Sequence, residues 1–180
     1  LGRFGDRLLW KLNAPELGIF GKGYKGSLVG EGEVSGPLNS LRASMNLDGN
    51  DVLLMGQYGA RKIQARLKFG MEANDRIDAS IRLDDVLLGS GKWTFIQGDV
   101  NGTLRSHVIE LTAKNESFDL TAKASGGLGR NNVWQGKLEA LENKGKMAFS
   151  LDSSVPVNVG SDSFSLKNLV LQLPNGKLTI

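Results

Sequence analysis

The chain's 180 residues offer few side chains whose type and spacing suit chemistry. His107 is its only histidine. With Ser106 beside it and Asp119 downstream, it has the residue types of a nucleophile–base–acid triad. Its segment reads as a plain alternating strand with no nucleophile elbow, so His107 is assigned to a polar, solvated strand position. One histidine cannot build a multi-histidine metal centre. With no cysteines, thiolate ligands, disulfides and cysteine nucleophiles are excluded. Gly21-Lys22-Gly23-Tyr24-Lys25-Gly26 matches the spacing of a dinucleotide-binding loop. The residues after it read as a strand, so no helix N-terminus is there to hold a pyrophosphate, and the segment is a flexible turn. Asp84-Asp85 and Asp48-Gly49-Asn50-Asp51 lack the closing glutamate of a calcium loop and read as acidic turns.

Arg61, Lys62, Arg66 and Lys68 form a basic stripe. The stripe suits anionic headgroups, but a solvated outer face guarded by lysine against edge pairing is the simpler reading. Asn101-Gly102-Thr103 and Asn115-Glu116-Ser117 are glycosylation sequons, meaningful only in a eukaryotic secreted protein. No constellation supports catalysis, and the chain is read as non-enzymatic, with no cofactor and no metal.

The elements that hold these residues obey one rule. From Leu41 the apolar residues are Leu41, Ala43, Met45 and Leu47. From Ile63 they are Ile63, Ala65, Leu67 and Phe69, and from Ile77 they are Ile77, Ala79, Ile81 and Leu83. Polar residues fill the positions between. A period of two puts one set on each face of a sheet. The pattern recurs over Leu8 to Ala14, Leu28 to Val34, Val52 to Tyr58 and Trp93 to Val100. It continues through Ile109, Leu111 and Ala113, then Phe118, Leu120 and Ala122. Further segments hold Trp134, Gly136 and Leu138; Met147, Phe149 and Leu151; Val155, Val157 and Val159; and Leu169, Leu171 and Leu173.

Punctuation is expected at Gly36-Pro37, Gly49-Asn50, Gly59-Ala60, Gly70 to Asp75, Gly89-Ser90-Gly91 and Gly126 to Asn132. Asn101-Gly102 is a tight turn or an interior kink. Pro156 marks an edge or a bend. Gly136 inside the segment from Trp134 favours a strand over a helix there. About a dozen short strands at roughly 8–12-residue spacing indicate an all-β chain.

Hydrophobic residues make up 40% and charged residues 23%, a globular balance. A net charge of +3 is too small to argue for nucleic acid. With 24 glycines and no collagen period, turns, bulges and close backbone approaches are expected. No segment approaches the roughly 20 apolar residues of a membrane helix. The chain opens at Leu1-Gly2-Arg3-Phe4 without an initiator methionine and reads as a section of a longer protein. The alternation permits a sandwich, a barrel or an open groove covered by something else, and composition favours the first two.

Two stretches carry a resemblance. The first is Leu12-Asn13-Ala14-Pro15-Glu16-Leu17, followed by the run from Gly26-Ser27-Leu28 through Gly30-Glu31-Gly32-Glu33 to Gly36-Pro37-Leu38. The second holds Gly102-Thr103-Leu104-Arg105-Ser106-His107, Gly126-Gly127-Leu128, Trp134-Gln135-Gly136-Lys137-Leu138-Glu139-Ala140-Leu141 and Val155-Pro156-Val157, in that order. Together they resemble the TamB family of AsmA-like envelope proteins.

That resemblance implies a long sheet curled into a trough, with an apolar concave face and a polar convex face, of which residues 1–180 form one section. It implies a periplasmic protein anchored in the inner membrane through a segment outside this chain, and partnership with the outer-membrane barrel TamA through other parts. The function implied is conduction of phospholipid between membranes and support of outer-membrane protein and autotransporter assembly. Unfolded outer-membrane strands are an alternative client, and a plain structural sandwich is the reading without any client.

For a groove, the expected lining is Leu41, Met45, Leu47, Ile63, Leu67, Phe69, Ile77, Ile81, Leu83, Ile109, Leu111, Phe118, Leu120, Trp134, Leu138, Met147, Phe149, Leu151, Leu169, Leu171 and Leu173. Phospholipid acyl chains are its expected occupants, held at about 0.8 kcal/mol per buried CH₂. A bare trough with open sheet ends is also expected to self-associate.

Overall fold

The computed structural model describes residues 5–72, 74–129 and 133–180. Residues 1–4, Ala73 and residues 130–132, and with them the chain's opening and the end of the loop expected over 126–132, lie outside the described residues. The strands are β1 (Arg7–Ala14), β2 (Lys25–Ser35), β3 (Arg42–Leu54), β4 (Tyr58–Gly70), β5 (Arg76–Leu88), β6 (Gly91–Thr103) and β7 (Ser106–Lys114). They continue as β8 (Asp119–Leu128), β9 (Trp134–Asn143), β10 (Phe149–Leu151), β11 (Val155–Val159), β12 (Phe164–Leu166), β13 (Val170–Leu173) and β14 (Gly176–Thr179). A single 3₁₀ turn, Leu17–Phe20, joins β1 to β2.

All of these strands belong to one antiparallel sheet, and β1 to β10 pair strictly in chain order. The sheet does not close on itself, since β1 pairs with β2 alone and β14 with β13 alone among the described residues. The chain is therefore an open, curled, all-β sheet rather than a sandwich or a barrel. The segment from Trp134 is a strand, as Gly136 and the alternation require. Gly102 lies inside β6, with φ at 143°, so the kink reading of Asn101-Gly102 holds. Gly126 to Leu128, expected in a loop, complete β8.

Gly49-Asn50, Gly59-Ala60 and Asp84-Asp85 are not turns. They lie inside β3, β4 and β5, whose hairpin tips are at Met55-Gly56-Gln57 and Gly89-Ser90. The sequence breaks its alternation there because the sheet is creased. Asn50, Lys62, Asp84 and Phe95 stand opposite one another, and the next paired row is Val52, Ala60, Val86 and Trp93. Asp51, Arg61, Asp85 and Thr94 fall between the rows, giving each strand two successive outward residues before the apolar set resumes. Asp51 and Asp85 both have φ near 50°, the left-handed region that a short polar side chain tolerates. On β2 the crease is met by a bulge between Lys25 and Ser27. Gly26 there has φ at 89°, and a Cβ would collide with the carbonyl oxygens of Asn50 and Asp51.

Past β9 the sheet forks. The Glu142–Asn143 end of β9 pairs with β10, and its Trp134–Leu138 end pairs with β11. β10 continues to β13 and β14, while β11 carries β12. Pro156 faces Lys137 on β9 at a point that β12 does not reach, so β11 is an edge there, the position a strand proline tolerates. Between the two prongs lies a small core of Val155, Leu169 and Leu171, against which Leu138, Leu141, Phe149, Leu151 and Leu166 pack.

Candidate functional site

Directly opposed residues of antiparallel strands share a face. The register therefore assembles the alternating segments into one continuous apolar surface. One row across the strands runs Gly32, Met45, Leu67, Ala79, Val100, Ile109, Ala124 and Leu138. A second runs Gly30, Leu47, Ala65, Ile81, Gly98, Leu111, Ala122 and Leu141. A third runs Gly49, Ile63, Leu83, Ile96, Ala113, Leu120 and Asn143. On β1 the same face carries Leu8, Trp10, Leu12 and Ala14.

In the second row large and small residues alternate strand by strand. Leu47, Ile81, Leu111 and Leu141 stand as ribs, and Gly30, Ala65, Gly98 and Ala122 leave furrows between them. Ile81 is 42% exposed and Leu111 45% exposed, although both lie at mid-strand in the middle of the sheet. A leucine or isoleucine in a covered sheet face is normally buried, so none of the described residues overlies the floor here. Beyond the crease the same face is enclosed: Val52, Ala60 and Val86 are 4%, 5% and 3% exposed. Trp93 and Phe118 stack beside them with ring centroids 6.2 Å apart.

Among the described residues two buried polar side chains interrupt the apolar surface, and both are hydrogen-bonded. His107 is buried and lies between Gly102 and Gly126, on the same face as Ile109 and Leu111. It is not the solvated strand residue expected from the sequence. Position 107 shares the odd parity of its apolar neighbours, and the flanking glycines make room for the ring. The indole Nε1–H of Trp134 donates to His107 Nε2 at 2.8 Å. The other ring nitrogen, Nδ1, then carries the proton and donates to the Thr103 carbonyl at 2.9 Å. This satisfied pair leaves His107 no free nitrogen for base chemistry. Asn143 is 1% exposed. Its Oδ1 accepts from the backbone N–H groups of Asp119 and Gly145, and its Nδ2 donates to the Met147 carbonyl. It thereby fixes the turn from β9 into β10.

The outer face carries the charge. Arg61 pairs with Asp85 across the crease, Arg82 with Asp84 at 3.0 Å, and Lys123 with Glu110 at 3.0 Å. Hydrogen bonds and attraction from Asp85 raise the Arg61 pKa above its ordinary value. At the opposite end of the strands Arg42 donates to Asp75 and holds that carboxyl below the usual aspartate range. Arg66 and Lys68 stand exposed on this outer face.

Of the residues expected to line a groove, Met45, Leu47, Ile63, Leu67, Phe69, Ile77, Ile81, Leu83, Ile109, Leu111 and Leu120 share the continuous face. Trp134 joins it opposite Leu128. Phe118 lies just ahead of β8, against Trp93. Leu138, Phe149, Leu151, Leu169 and Leu171 are drawn into the small core at the fork. Leu41 precedes β3, half-buried, and its carbonyl accepts the Met71 N–H. Met147 is exposed in the β9–β10 turn, and Leu173 is exposed at the end of β13.

The expected lining leaves out the furrow residues Ala65, Gly98 and Ala122, although Ala65 and Ala122 belong to its alternating sets, and the β6 contributors Ile96 and Val100. Their signal was present as the same parity, but small side chains weigh little in a hydrophobic pattern. It also leaves out Val52, Ala60 and Val86, whose parity changes at the crease.

Among the described residues no group of three or more His, Cys, Asp or Glu could hold a metal ion, and no helix is long and apolar enough to cross a membrane. No curated protein and no solved structure matches the chain. Residues 2–178 match the family model described as TamB, N-terminal domain. That match covers nearly the whole chain and agrees with the open sheet and its single apolar face: this protein belongs to the TamB family.

Proposed function

We propose that the chain is a section of a periplasmic apolar groove along which phospholipid acyl chains move between the inner and outer membranes. In this reading it supports assembly of outer-membrane proteins, autotransporters among them, together with TamA, which other parts of the protein would contact. One observation carries the proposal: Ile81 and Leu111 stand exposed in the middle of a continuous apolar floor. Acyl chains are suited to such a floor, because each CH₂ removed from water contributes about 0.8 kcal/mol and demands no particular hydrogen bond. Ribs and furrows without polar hooks grip a chain weakly at any one point, which favours sliding over fixed binding.

The test is in vivo photo-crosslinking with a benzophenone residue at Leu67, on the floor, and at Arg66, on the outer face. Phospholipid adducts at Leu67 and none at Arg66 are expected. No adduct at either position in a folded protein would overturn the lipid reading. Polypeptide adducts at Leu67 would instead assign the floor to unfolded outer-membrane strands.

A further inference from the structure

We propose that one rim of the sheet, made by the 3₁₀ turn and the β3–β4 and β5–β6 hairpin tips, docks onto the surface of an anionic lipid bilayer. The three segments form one unit. The Gly56 N–H donates to the Gly23 carbonyl at 2.8 Å, and the Gly89 N–H donates to the Gln57 carbonyl at 2.9 Å. Outward from this unit stand Ile19, Phe20 and Met55, which are 75%, 65% and 67% exposed, with Leu88 and Tyr58 beside them. Apolar side chains this large are seldom left in water together without an apolar partner.

The charges around them identify the partner. Across residues 16–25, 54–58 and 88–92 the only charged side chains are Glu16, Lys22, Lys25 and Lys92. All three lysines are exposed, and none is in a salt bridge among the described residues. A protein interface is depleted of lysine around its apolar centre. A bilayer surface selects the combination seen here: apolar tips that enter the acyl boundary, a tyrosine at headgroup depth, and lysines that reach the phosphates.

The opposite rim is built differently. There Glu72 and Asp75 gather around Arg42 beside the exposed Arg76 and Arg105, so carboxylates that an anionic surface repels are mixed among its cations. The docking rim is also continuous with the floor, because Leu54, Tyr58 and Leu88 form the next row after Val52, Ala60 and Val86. Docking needs no lipid in the groove, so it stands apart from the conduit reading.

Flotation of the 180-residue chain with vesicles tests it, using phosphatidylethanolamine with phosphatidylglycerol on one side and phosphatidylcholine alone on the other. The chain is expected to float with the anionic vesicles. Phe20→Ser with Met55→Ser is expected to lower partitioning by about a hundredfold, roughly tenfold for each side chain withdrawn from the bilayer. Lys22→Ser with Lys92→Ser is expected to lower it by about thirtyfold on anionic vesicles at low salt and to leave phosphatidylcholine unaffected.

Leu38→Ser removes an equally exposed apolar residue from the opposite rim and is expected to float like the parent chain. Circular dichroism confirms that each variant is folded. A folded parent chain that does not float, tip variants that float unchanged, or a Leu38→Ser variant that loses as much as they do would each overturn the proposal. Failure of the conduit reading looks different: flotation persists while Leu67 gives no lipid adduct.

Discussion

Placing a glutamate at Ile81 and, separately, at Val86 separates an open floor from a covered core on the same sheet face. Ile81 is 42% exposed, and its cross-strand neighbours are Ala65 and Gly98. Fully burying an isoleucine side chain is worth about 1.5–3 kcal/mol, so one little more than half buried contributes about 1–2 kcal/mol. Ile81→Glu loses that amount, but it opens no cavity, and its carboxylate reaches water between two small neighbours. Against a total stability of about 5–15 kcal/mol the sheet stays folded. With a urea m-value of about 2 kcal/mol/M, the midpoint falls by about 0.5–1 M.

Val86 is 3% exposed. The same carboxylate there is desolvated without a partner, at a cost of several kcal/mol, and Val86→Glu is expected to be largely unfolded. Urea titration followed by far-UV circular dichroism measures both. Binding of a fluorescent fatty acid supplies the functional arm. A chain lying over position 81 would meet a hydrated charge, and affinity should drop by about a hundredfold while the fold persists. If Ile81→Glu unfolded as completely as Val86→Glu, the floor would be covered and the geometric reasoning wrong. If it stayed folded and bound fatty acid as before, acyl chains would not occupy that strip.

Two further predictions concern the frame around the floor. Gly26→Ala forces a Cβ into the left-handed region and against the Asn50 and Asp51 carbonyls, and is expected to lower stability by about 2–4 kcal/mol, read from the urea midpoint; an unchanged midpoint would mean that the crease does not depend on that glycine. Asp75, hydrogen-bonded by Arg42, and Asp152, hydrogen-bonded by Lys177 and Gln172, both have folded-state pKa values below the ordinary 3.8. Their contribution is complete above 3.8 and lost as pH falls through the depressed values, so the urea midpoint should decline below about pH 4, and less so in a chain carrying Asp75→Asn and Asp152→Asn. An identical decline in that double variant would assign the acid sensitivity to other groups.

The alternation of Met45, Leu47, Ile63, Leu67, Ile77 and Ile81 was enough to place strands and faces, because a period of two is a local property of backbone geometry. The crease was not readable in the same way. Asn50-Asp51 and Asp84-Asp85 pair a broken alternation with residues that tolerate left-handed backbone, and a hairpin turn has the same local signature. What separates them is whether the neighbouring strands break at the same row, and that depends on register. Residue type points His107 towards solvent, whereas its parity with Ile109 and Leu111 puts it on the apolar face where it is found. The fork at β9 depends on β10 and β11 competing for one strand edge, a tertiary choice that no window along the chain contains. It explains why Leu169 and Leu171, apolar like the rest, end in a small covered core instead of on the floor.

The strict neighbour-to-neighbour order of β1 to β10 turns the chain into a ruler. Strands lie about 4.8 Å apart, so these ten set a span of about 43 Å across the sheet. One hairpin more or less changes that span by roughly 10 Å without exchanging the two faces, since the chain leaves a pair of strands heading as it entered. Length can therefore drift by duplication or loss of hairpins while each surviving strand keeps its side chains where they were. Removing a single strand is different, because it delivers the chain to the wrong end of the sheet and strands everything downstream. Hairpins, not residues, are the unit in which a protein of this build can be lengthened or cut.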